Sequence, residues 1–308
     1  MEYRILGTTG LKVSAIGLGC AELGMDYGIK VPGQYGRPDR QTAIRILHQA
    51  LDLGINLFDV APGYGDSESL LGELPAARAF YVATKASVAG GDPAPARSIR
   101  ASVHNSLKCL RRDCLDIVQV HNISGDMPEK ADILLTLSAL RKEGLIRFVG
   151  DSVYGPAGAL AGVRTEAVDV LQLAYSILDQ RMSREAIPAV IKSGKGVICR
   201  SAYFRGMLTD KIDYLDDSWL FLKQAVKDIK ERTGAATWDE LSGMALRFCL
   251  STAGISSVLV GVRVMEELEF AVAAESRGRL PEDIFQTLLG MGIKDDYWVE
   301  PLNWYLKL

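Results

Sequence analysis

The chain has 308 residues, of which 48% are hydrophobic and 24% are charged, and its formal net charge at neutral pH is −3. This length and composition fit one large α/β domain and differ from those of a disordered chain. The absence of a basic surplus disfavours binding to a nucleic-acid backbone. The five cysteines are scattered and form no C-x-x-C pair, so we expect reduced thiols and no metal site.

The chain carries no recognisable targeting or membrane signal. Its first residues lack the charged-then-apolar profile of a signal peptide. No apolar stretch reaches the roughly 20 residues that a helix needs to cross a bilayer. We therefore expect a cytoplasmic protein without a membrane partner, built as a single domain over residues 1–308.

Eight short apolar runs alternate with longer segments of helical character. The runs are rich in β-branched and aliphatic residues and mostly lack polar alternation, which is typical of parallel strands buried on both faces. The predicted strands are residues 15–19, 56–61, 80–85, 115–121, 146–152, 168–173, 196–201 and 257–262.

The segments between these strands place apolar residues at helical spacing. Predicted helices cover residues 41–53, 94–109, 131–142, 182–192 and 265–274. Gly54, Gly144, Gly194 and Gly196 lie between a predicted helix and the next strand, where a glycine stop is expected. Such alternation leaves two α/β architectures, a doubly wound sheet or a closed barrel, and the number of strands favours a (β/α)8 TIM barrel.

Two additions to a plain barrel are predicted. Residues 2–13 have the pattern of a β-hairpin, which we expect to plug one end of the barrel. Extra helices over 218–232 and 238–250 fill the interval before the eighth strand. A C-terminal tail over residues 281–308 begins with a helix start at Pro281.

Ionisable residues stand where three consecutive strands end. Asp59, Lys85 and His121 close the second, third and fourth predicted strands, and Tyr64 follows Asp59 by five residues. In a TIM barrel the chemistry lies at the C-terminal ends of the strands. Because neighbouring strands lie about 5 Å apart, we expect these side chains to converge.

Such a cluster suits proton transfer to or from a carbonyl oxygen. A tyrosine has a pKa of about 10, and a nearby ammonium stabilises its phenolate and lowers that pKa. Asp59 would hold Lys85 charged, and His121 would orient a substrate oxygen. A lone lysine or aspartate at a strand end is often a structural ion pair, and a lone histidine is often a core residue. The coincidence of all four favours an active site.

At this point the sequence resembles the aldo-keto reductase superfamily, nearly from end to end. Residues 3–14 with 16–19 look like the family's N-terminal hairpin and first strand. The stretch 54–65, followed by Ser67-Glu68 and Leu71-Gly72-Glu73, is similar to its most characteristic block. Residues 83–85 and 115–121 resemble the next two blocks. The resemblance implies a (β/α)8 barrel that binds NAD(P)(H) in an extended pose without a Rossmann fold.

The resemblance assigns the catalytic tetrad to Asp59, Tyr64, Lys85 and His121. Tyr64 would act as the general acid in reduction and as the base in oxidation, and His121 would position the carbonyl. A Rossmann-type site is disfavoured, because Gly17-Leu18-Gly19 begins a G-x-G-x-x-G pattern but Glu22 replaces its last glycine.

The resemblance also assigns cofactor residues, with some departures. Ser152 and Gln172 match positions that hold the nicotinamide carboxamide, although Val153 stands where asparagine is frequent. Arg200 replaces a tyrosine that commonly stacks on the nicotinamide, and a guanidinium plane can also stack. The loop expected along the pyrophosphate contributes Ser201, Tyr203, Arg205 and Gly206.

Residues 260–268 look like the family's adenosine-end motif, which contains Gly261, Arg263 and Glu267. Arg263 suits a 2′-phosphate and favours NADP over NAD. Its alternative interpretation is a solvated charge in the first turn of a helix. Glu267 stands where glutamine is usual and Ala271 where asparagine is usual, and a carboxylate near a 2′-phosphate is unfavourable.

Three functions remain open on the sequence. They are an NADP-dependent reductase of aldehydes or ketones, a sugar or alcohol dehydrogenase with the same residues, and a cofactor-binding regulatory subunit. The substrate pocket would be formed by residues 25–39, 122–127, the loop after the seventh strand and the tail 297–308. Four aromatic residues there are either pocket walls or packing residues, namely Tyr27, Tyr35, Trp298 and Trp304.

Overall fold

Eight parallel strands form a closed barrel in which each strand pairs with the next along the chain and the last pairs with the first. The computed structural model describes residues 1–33, 35–75, 79–86, 88, 92–121, 129–300 and 303. The predicted α/β fold class, a (β/α)8 TIM barrel, is therefore confirmed. The barrel strands are β3 (Ile16–Gly19), β4 (Leu57–Asp59), β5 (Tyr81–Ala86), β6 (Leu115–Val120), β7 (Ile146–Val153), β8 (Val170–Ala174), β9 (Gly196–Arg200) and β10 (Ser257–Gly261).

Helices surround the barrel and bury their apolar faces against it. The helices are α1 (Ala21–Gly24), α2 (Arg40–Asp52), α3 (Ser67–Leu71), α4 (Pro95–Leu110), α5 (Glu129–Lys142), α6 (Gly155–Arg164), α7 (Ala186–Lys192), α8 (Leu220–Thr233), α9 (Trp238–Ser251), α10 (Met265–Ser276), α11 (Glu282–Leu289) and α12 (Asp296–Val299). In the described part of the chain, no helix is both long and apolar enough to cross a membrane.

All eight predicted strands overlap a barrel strand, and the helices predicted before the eighth strand are α8 and α9. The sequence-based prediction missed α6, whose three glycines and one proline weaken the helical pattern. It also began α7 four residues too early, at 182 instead of Ala186. The segment has a weak local preference for a helix, so the packing of α6 against β7 and β8 decides its helical state.

The predicted N-terminal hairpin is confirmed and closes the lower end of the barrel. Its strands, β1 (Tyr3–Ile5) and β2 (Lys12–Ser14), pair antiparallel. Leu6, Leu11 and Val13 are almost fully buried under the barrel. Each such burial contributes about 1.5–3 kcal/mol. They pack on an apolar layer made of Leu57, Ala83, Ile117, Val170, Ile198 and Leu259.

Three of the four predicted glycine stops have the expected left-handed backbone. The φ angles of Gly54, Gly144 and Gly194 are +89°, +81° and +75°. The prediction for Gly196 is wrong, because this residue begins β9 and is not left-handed. A Cβ at Gly196 would lie 2.7 Å from the Leu6 side chain, so the glycine makes room for the hairpin.

Candidate active site

The four predicted catalytic residues meet at the upper, C-terminal end of the barrel. Asp59 ends β4, Lys85 lies in β5, and His121 directly follows β6. Lys85 Nζ lies 2.6 Å from Asp59 Oδ2, and the two side chains are 1% and 5% exposed. The same ammonium lies 4.7 Å from the centre of the Tyr64 ring. The rings of Tyr64 and His121 meet edge to face with their centres 6.1 Å apart.

The loop that carries Tyr64 is held by a close approach of two backbones. Tyr64 N–H donates to the carbonyl of Ala61 at 3.0 Å. Gly65 is left-handed, with φ +55°. On the other side the loop rests on the end of α1, where a Cβ at Gly24 would lie 2.0 Å from the Tyr64 carbonyl oxygen. Only glycine at position 24 therefore lets Tyr64 reach its place.

Asp59 is the centre of a buried hydrogen-bond network. Its Oδ1 accepts from Gln172 Nε2 at 2.7 Å and from Gln119 Nε2 at 3.2 Å. Ser152 Oγ in turn donates to Gln172 Oε1 at 3.4 Å. The network therefore links the candidate carboxamide-binding residues Ser152 and Gln172 to the Asp59–Lys85 pair.

Gln119 is a site residue that the sequence-based prediction missed. It is fully buried and lies two residues before His121 on β6. Because side chains alternate along a strand, Gln119 faces the same way as Ile117 and His121, into the barrel. A polar residue at this inward position of a buried strand was the signal that could have found it.

Burial favours the uncharged form of both Tyr64 and Lys85, so it raises the pKa of the tyrosine and lowers that of the lysine. Burial raises the pKa of Tyr64, and Lys85, which acts in the opposite direction, does not compensate. Lys85 lowers the pKa of Tyr64, as expected from the sequence, but the effect of burial is larger. The net pKa shift of Tyr64 is therefore upward, and the phenol keeps its proton at neutral pH. For Lys85, burial alone would lower the pKa, but Asp59 and Tyr64 hold it above its ordinary value.

His121 is neutral at physiological pH. Burial, together with the positive charges of Lys85 and Arg200, lowers the pKa of His121 to about 3. A neutral imidazole has one N–H donor and one acceptor nitrogen. It can therefore donate a hydrogen bond to a carbonyl oxygen without adding charge to the site.

One cavity of about 470 Å³ joins this cluster to the predicted cofactor residues. Such a volume is within the range of small-molecule and cofactor sites. Among the described residues, no group of three or more histidine, cysteine or acidic side chains could hold a metal ion. The predicted residues that line the cavity are Asp59, Tyr64, His121, Ser152, Gln172, Arg200, Ser201, Tyr203, Arg205, Gly206, Gly261, Arg263 and Glu267.

The loop after β9 has an unusual backbone where the pyrophosphate was expected. Ser201 and Arg205 have φ angles of +65° and +57°, although neither is glycine. Such residues cost about 1–3 kcal/mol each and cluster at ligand clamps. Arg205 also lies over the ring of Tyr27, 5.6 Å from its centre. The loop is thus a tightly turned segment with a cation beside the cavity.

The end of the cavity at which the adenosine was predicted contains two interlocked ion pairs. Arg263 is 7% exposed, and its Nε lies 3.3 Å from Glu22 Oε2. The interpretation of Arg263 as a solvated charge is therefore wrong. Glu267 accepts from Lys211 Nζ at 2.8 Å and from the backbone N–H of Arg263 at 2.7 Å. A Cβ at Gly261 would lie 2.7 Å from Glu22 Oε1, so glycine leaves space for this carboxylate.

Of the four aromatic residues considered for the substrate wall, Tyr27 lines the cavity. Trp298 instead stacks on Phe221 with ring centres 5.3 Å apart, as a packing residue of the tail. Tyr35 is 40% exposed. Trp304 and the predicted pocket loop 122–127 lie outside the described residues.

A closed eight-stranded barrel with polar and ionisable side chains at its upper mouth is typical of a TIM-barrel enzyme. The model of the aldo/keto reductase family matches residues 15–291. The chain therefore belongs to the aldo/keto reductase family and is an oxidoreductase.

Relatives and solved structures agree with this assignment. L-galactose dehydrogenase from Arabidopsis thaliana is 31% identical over 299 residues, covering 89% of this chain and 88% of the relative. NADH-specific methylglyoxal reductase from Escherichia coli is 29% identical, covering 87% and 92%. The holo form of aldo-keto reductase AKR11C1 from Bacillus halodurans superimposes with a TM-score of 0.80 at 25% identity, covering 96% and 97%.

Proposed function

We propose that the protein transfers a hydride between a nicotinamide dinucleotide and the carbonyl or alcohol group of a small polar molecule. The observation that carries this proposal is the convergence of Tyr64, Asp59 and His121 on the cavity that Ser152 and Gln172 also line, with Lys85 buried beside them and paired with Asp59. The bound cofactor supplies or accepts the hydride. Every proton step falls to the side chains of the barrel.

Tyr64 is the proposed proton donor in reduction. Its raised pKa keeps the hydroxyl protonated until negative charge develops on the substrate oxygen. Lys85, held charged by Asp59, then stabilises the phenolate that forms. His121, as a neutral donor, orients the same oxygen. In oxidation the phenolate takes the proton of the alcohol, so the same groups serve both directions.

The residues that line the cavity offer contacts for each part of a dinucleotide. Ser152 and Gln172 would hold the carboxamide beside the catalytic cluster, and the loop 201–206 would follow the pyrophosphate. At the far end, Arg263 and the N-terminus of α10 would lie beside the adenosine part of the cofactor.

The charges at that far end favour NAD(H), against the preference for NADP derived from Arg263 alone. Arg263 and Lys211 are already paired with Glu22 and Glu267. A 2′-phosphate would therefore meet two carboxylates, whereas a ribose hydroxyl can donate to one of them. The similarity to an NADH-specific reductase supports the same choice.

The variant Glu267→Gln tests the cofactor choice. Removing one carboxylate should raise NADPH affinity about five-fold, or roughly 1 kcal/mol, while NADH affinity changes little. Glu269→Gln, an exposed position on the same helix, is the matched control. A parent protein that binds NADPH more tightly than NADH would overturn the preference for NAD(H).

The reaction class is tested by fluorescence titration with NADH and NADPH, followed by a turnover screen. The relatives act on a sugar and on methylglyoxal, so small polar aldehydes, ketones and sugars are the substrates to screen first. We expect consumption of reduced cofactor with at least one carbonyl, or formation of it with a sugar. Binding without any turnover would instead support a regulatory subunit. The cytoplasmic location and the single domain over residues 1–308 stay predictions.

A further inference from the structure

The charges around the catalytic cluster do not cancel. Three charged groups act on Tyr64, namely Lys85, Asp59 and Arg200. Lys85 and Asp59 form a close ion pair and offset each other. His121 is neutral. Of the described charged groups that act on Tyr64, Arg200 is therefore the one whose charge is not offset by a close partner.

Arg200 is held in place by neutral groups. It ends β9, and its guanidinium lies over the ring of Tyr154, 4.7 Å from the ring centre. Its Nη2 donates to the Val153 carbonyl at 3.3 Å, and its Nη1 donates to Ser201 Oγ at 3.4 Å. Within the described ranges, no carboxylate forms an ion pair with Arg200. An arginine keeps its charge at any physiological pH, so a fixed cation faces the cavity.

The two redox states of a nicotinamide differ by one charge. The reduced ring is neutral, and the oxidised ring carries a positive charge. For hydride transfer the ring must lie close to the carbon whose oxygen Tyr64 protonates, and the charge of Arg200 acts on both Tyr64 and His121. A nicotinamide ring bound in this cavity would therefore lie within the range of the same charge, in a partly buried site where screening is weak.

We propose that Arg200 sets the redox preference of the site, because its charge disfavours the oxidised nicotinamide and leaves the reduced one unaffected. This inference rests on the proposed function. Its consequence is a site that binds NADH more tightly than NAD⁺ and releases the oxidised cofactor readily after reduction. The same charge stabilises the negative oxygen that develops in the transition state, which speeds both directions equally, so the preference for reduction comes from the charge of the cofactor alone.

The test compares Arg200→Gln with Arg200→Lys. Glutamine removes the charge but keeps a planar hydrogen-bond donor, whereas lysine keeps the charge and loses the plane. Dissociation constants of NADH and NAD⁺ are measured for the parent and both variants by fluorescence titration and calorimetry. We expect Arg200→Gln to lower the ratio of the NAD⁺ constant to the NADH constant about ten-fold, and Arg200→Lys to retain the ratio.

The ratio of the two dissociation constants distinguishes an effect of the Arg200 charge from a purely structural role of this side chain. If Arg200 only supports the ring as a surface, both variants weaken NADH and NAD⁺ together and the ratio stays constant, which overturns the proposal. A ratio that falls equally in the glutamine and lysine variants also overturns it. Failure of the parent to bind either nucleotide would refute the proposed function itself, and that outcome is distinct from both. A ten-fold change corresponds to a shift of about 30 mV in the two-electron potential of the bound cofactor.

Discussion

The two ends of the barrel are built from the same strands and have opposite chemistry. On β4 the inward residue changes from Leu57 to Asp59, and on β5 from Ala83 to Lys85. Because side chains alternate, two residues along a strand are enough to pass from one layer to the next. The same step separates Ile117 from Gln119, Val170 from Gln172, and Ile198 from Arg200.

The difference between these layers teaches how stability and chemistry are divided. The lower layer is apolar and is covered by the hairpin, so it contributes hydrophobic free energy, and the residues that form it have no polar side chain that needs a hydrogen-bond partner. The upper layer buries Asp59 and Lys85, which is tolerable only because Asp59 receives donors from Lys85, Gln119 and Gln172. Substitutions in the lower layer should therefore change the free energy of unfolding, and those in the upper layer should change turnover.

The largest expected effect is that of Tyr64→Phe. Loss of the proposed proton donor should lower kcat by about 10²–10⁴-fold while the dissociation constant of NADH is unchanged. Steady-state kinetics and fluorescence titration measure the two quantities. Tyr81→Phe, which removes a hydroxyl from a residue packed on the lower layer, is the control and should keep kcat. Near-parental turnover in Tyr64→Phe would contradict the catalytic assignment.

The next effect concerns the seal of the barrel. Leu6→Ala removes a fully buried side chain from the hairpin and should lower the free energy of unfolding by about 2–5 kcal/mol. Denaturant titration measures this loss. The kcat per folded molecule should remain parental, because Leu6 is not among the residues that line the cavity. A large fall in kcat at full occupancy of the folded state would break the division between the layers.

A smaller effect is expected at Gln119. The variant Gln119→Leu deletes one of the donors to Asp59 and should reduce kcat about ten-fold, since the loss of a bond to a buried charge costs about 1–3 kcal/mol. Ile117→Val, two residues lower on the same strand, is the matched control. It should cost about 0.5–1.5 kcal/mol of stability and leave kcat unchanged. Equal kinetic effects in the two variants would show that Gln119 is only a packing residue.

The last prediction concerns the pH dependence of stability that His121 contributes. Its folded-state pKa of about 3 lies below the value of about 6.5 expected in the unfolded chain. Its contribution to stability is therefore present above pH 6.5 and is lost as the pH falls toward 3.

Melting temperatures between about pH 7 and pH 4 should therefore fall less steeply in His121→Asn than in the parent. His104→Asn, at an exposed position of α4, controls for the loss of an imidazole. If both variants follow the parental slope, His121 is not kept neutral by the fold.

Much of the candidate site could be predicted from the sequence, because its ionisable residues stand at the ends of consecutive strands. Asp59, Lys85 and His121 each follow an apolar run, so counting strands was enough to place them at one mouth. The sequence-based prediction missed Gln119 because this residue lies inside such a run. The prediction also missed Glu22 and Lys211, because their partners, Arg263 and Glu267, are far away along the chain.

The sequence by itself determined the order of strands and most helices, the hairpin and the four residues of the candidate catalytic cluster, since these depend on local periodicity and on residues at strand ends. Only the tertiary structure decided the net charge at each end of the cavity, the upward shift in the pKa of Tyr64 and the helical state of α6. The physical reason is that burial and ion pairing depend on which distant segments the closed barrel brings into contact, and no local pattern encodes those distances.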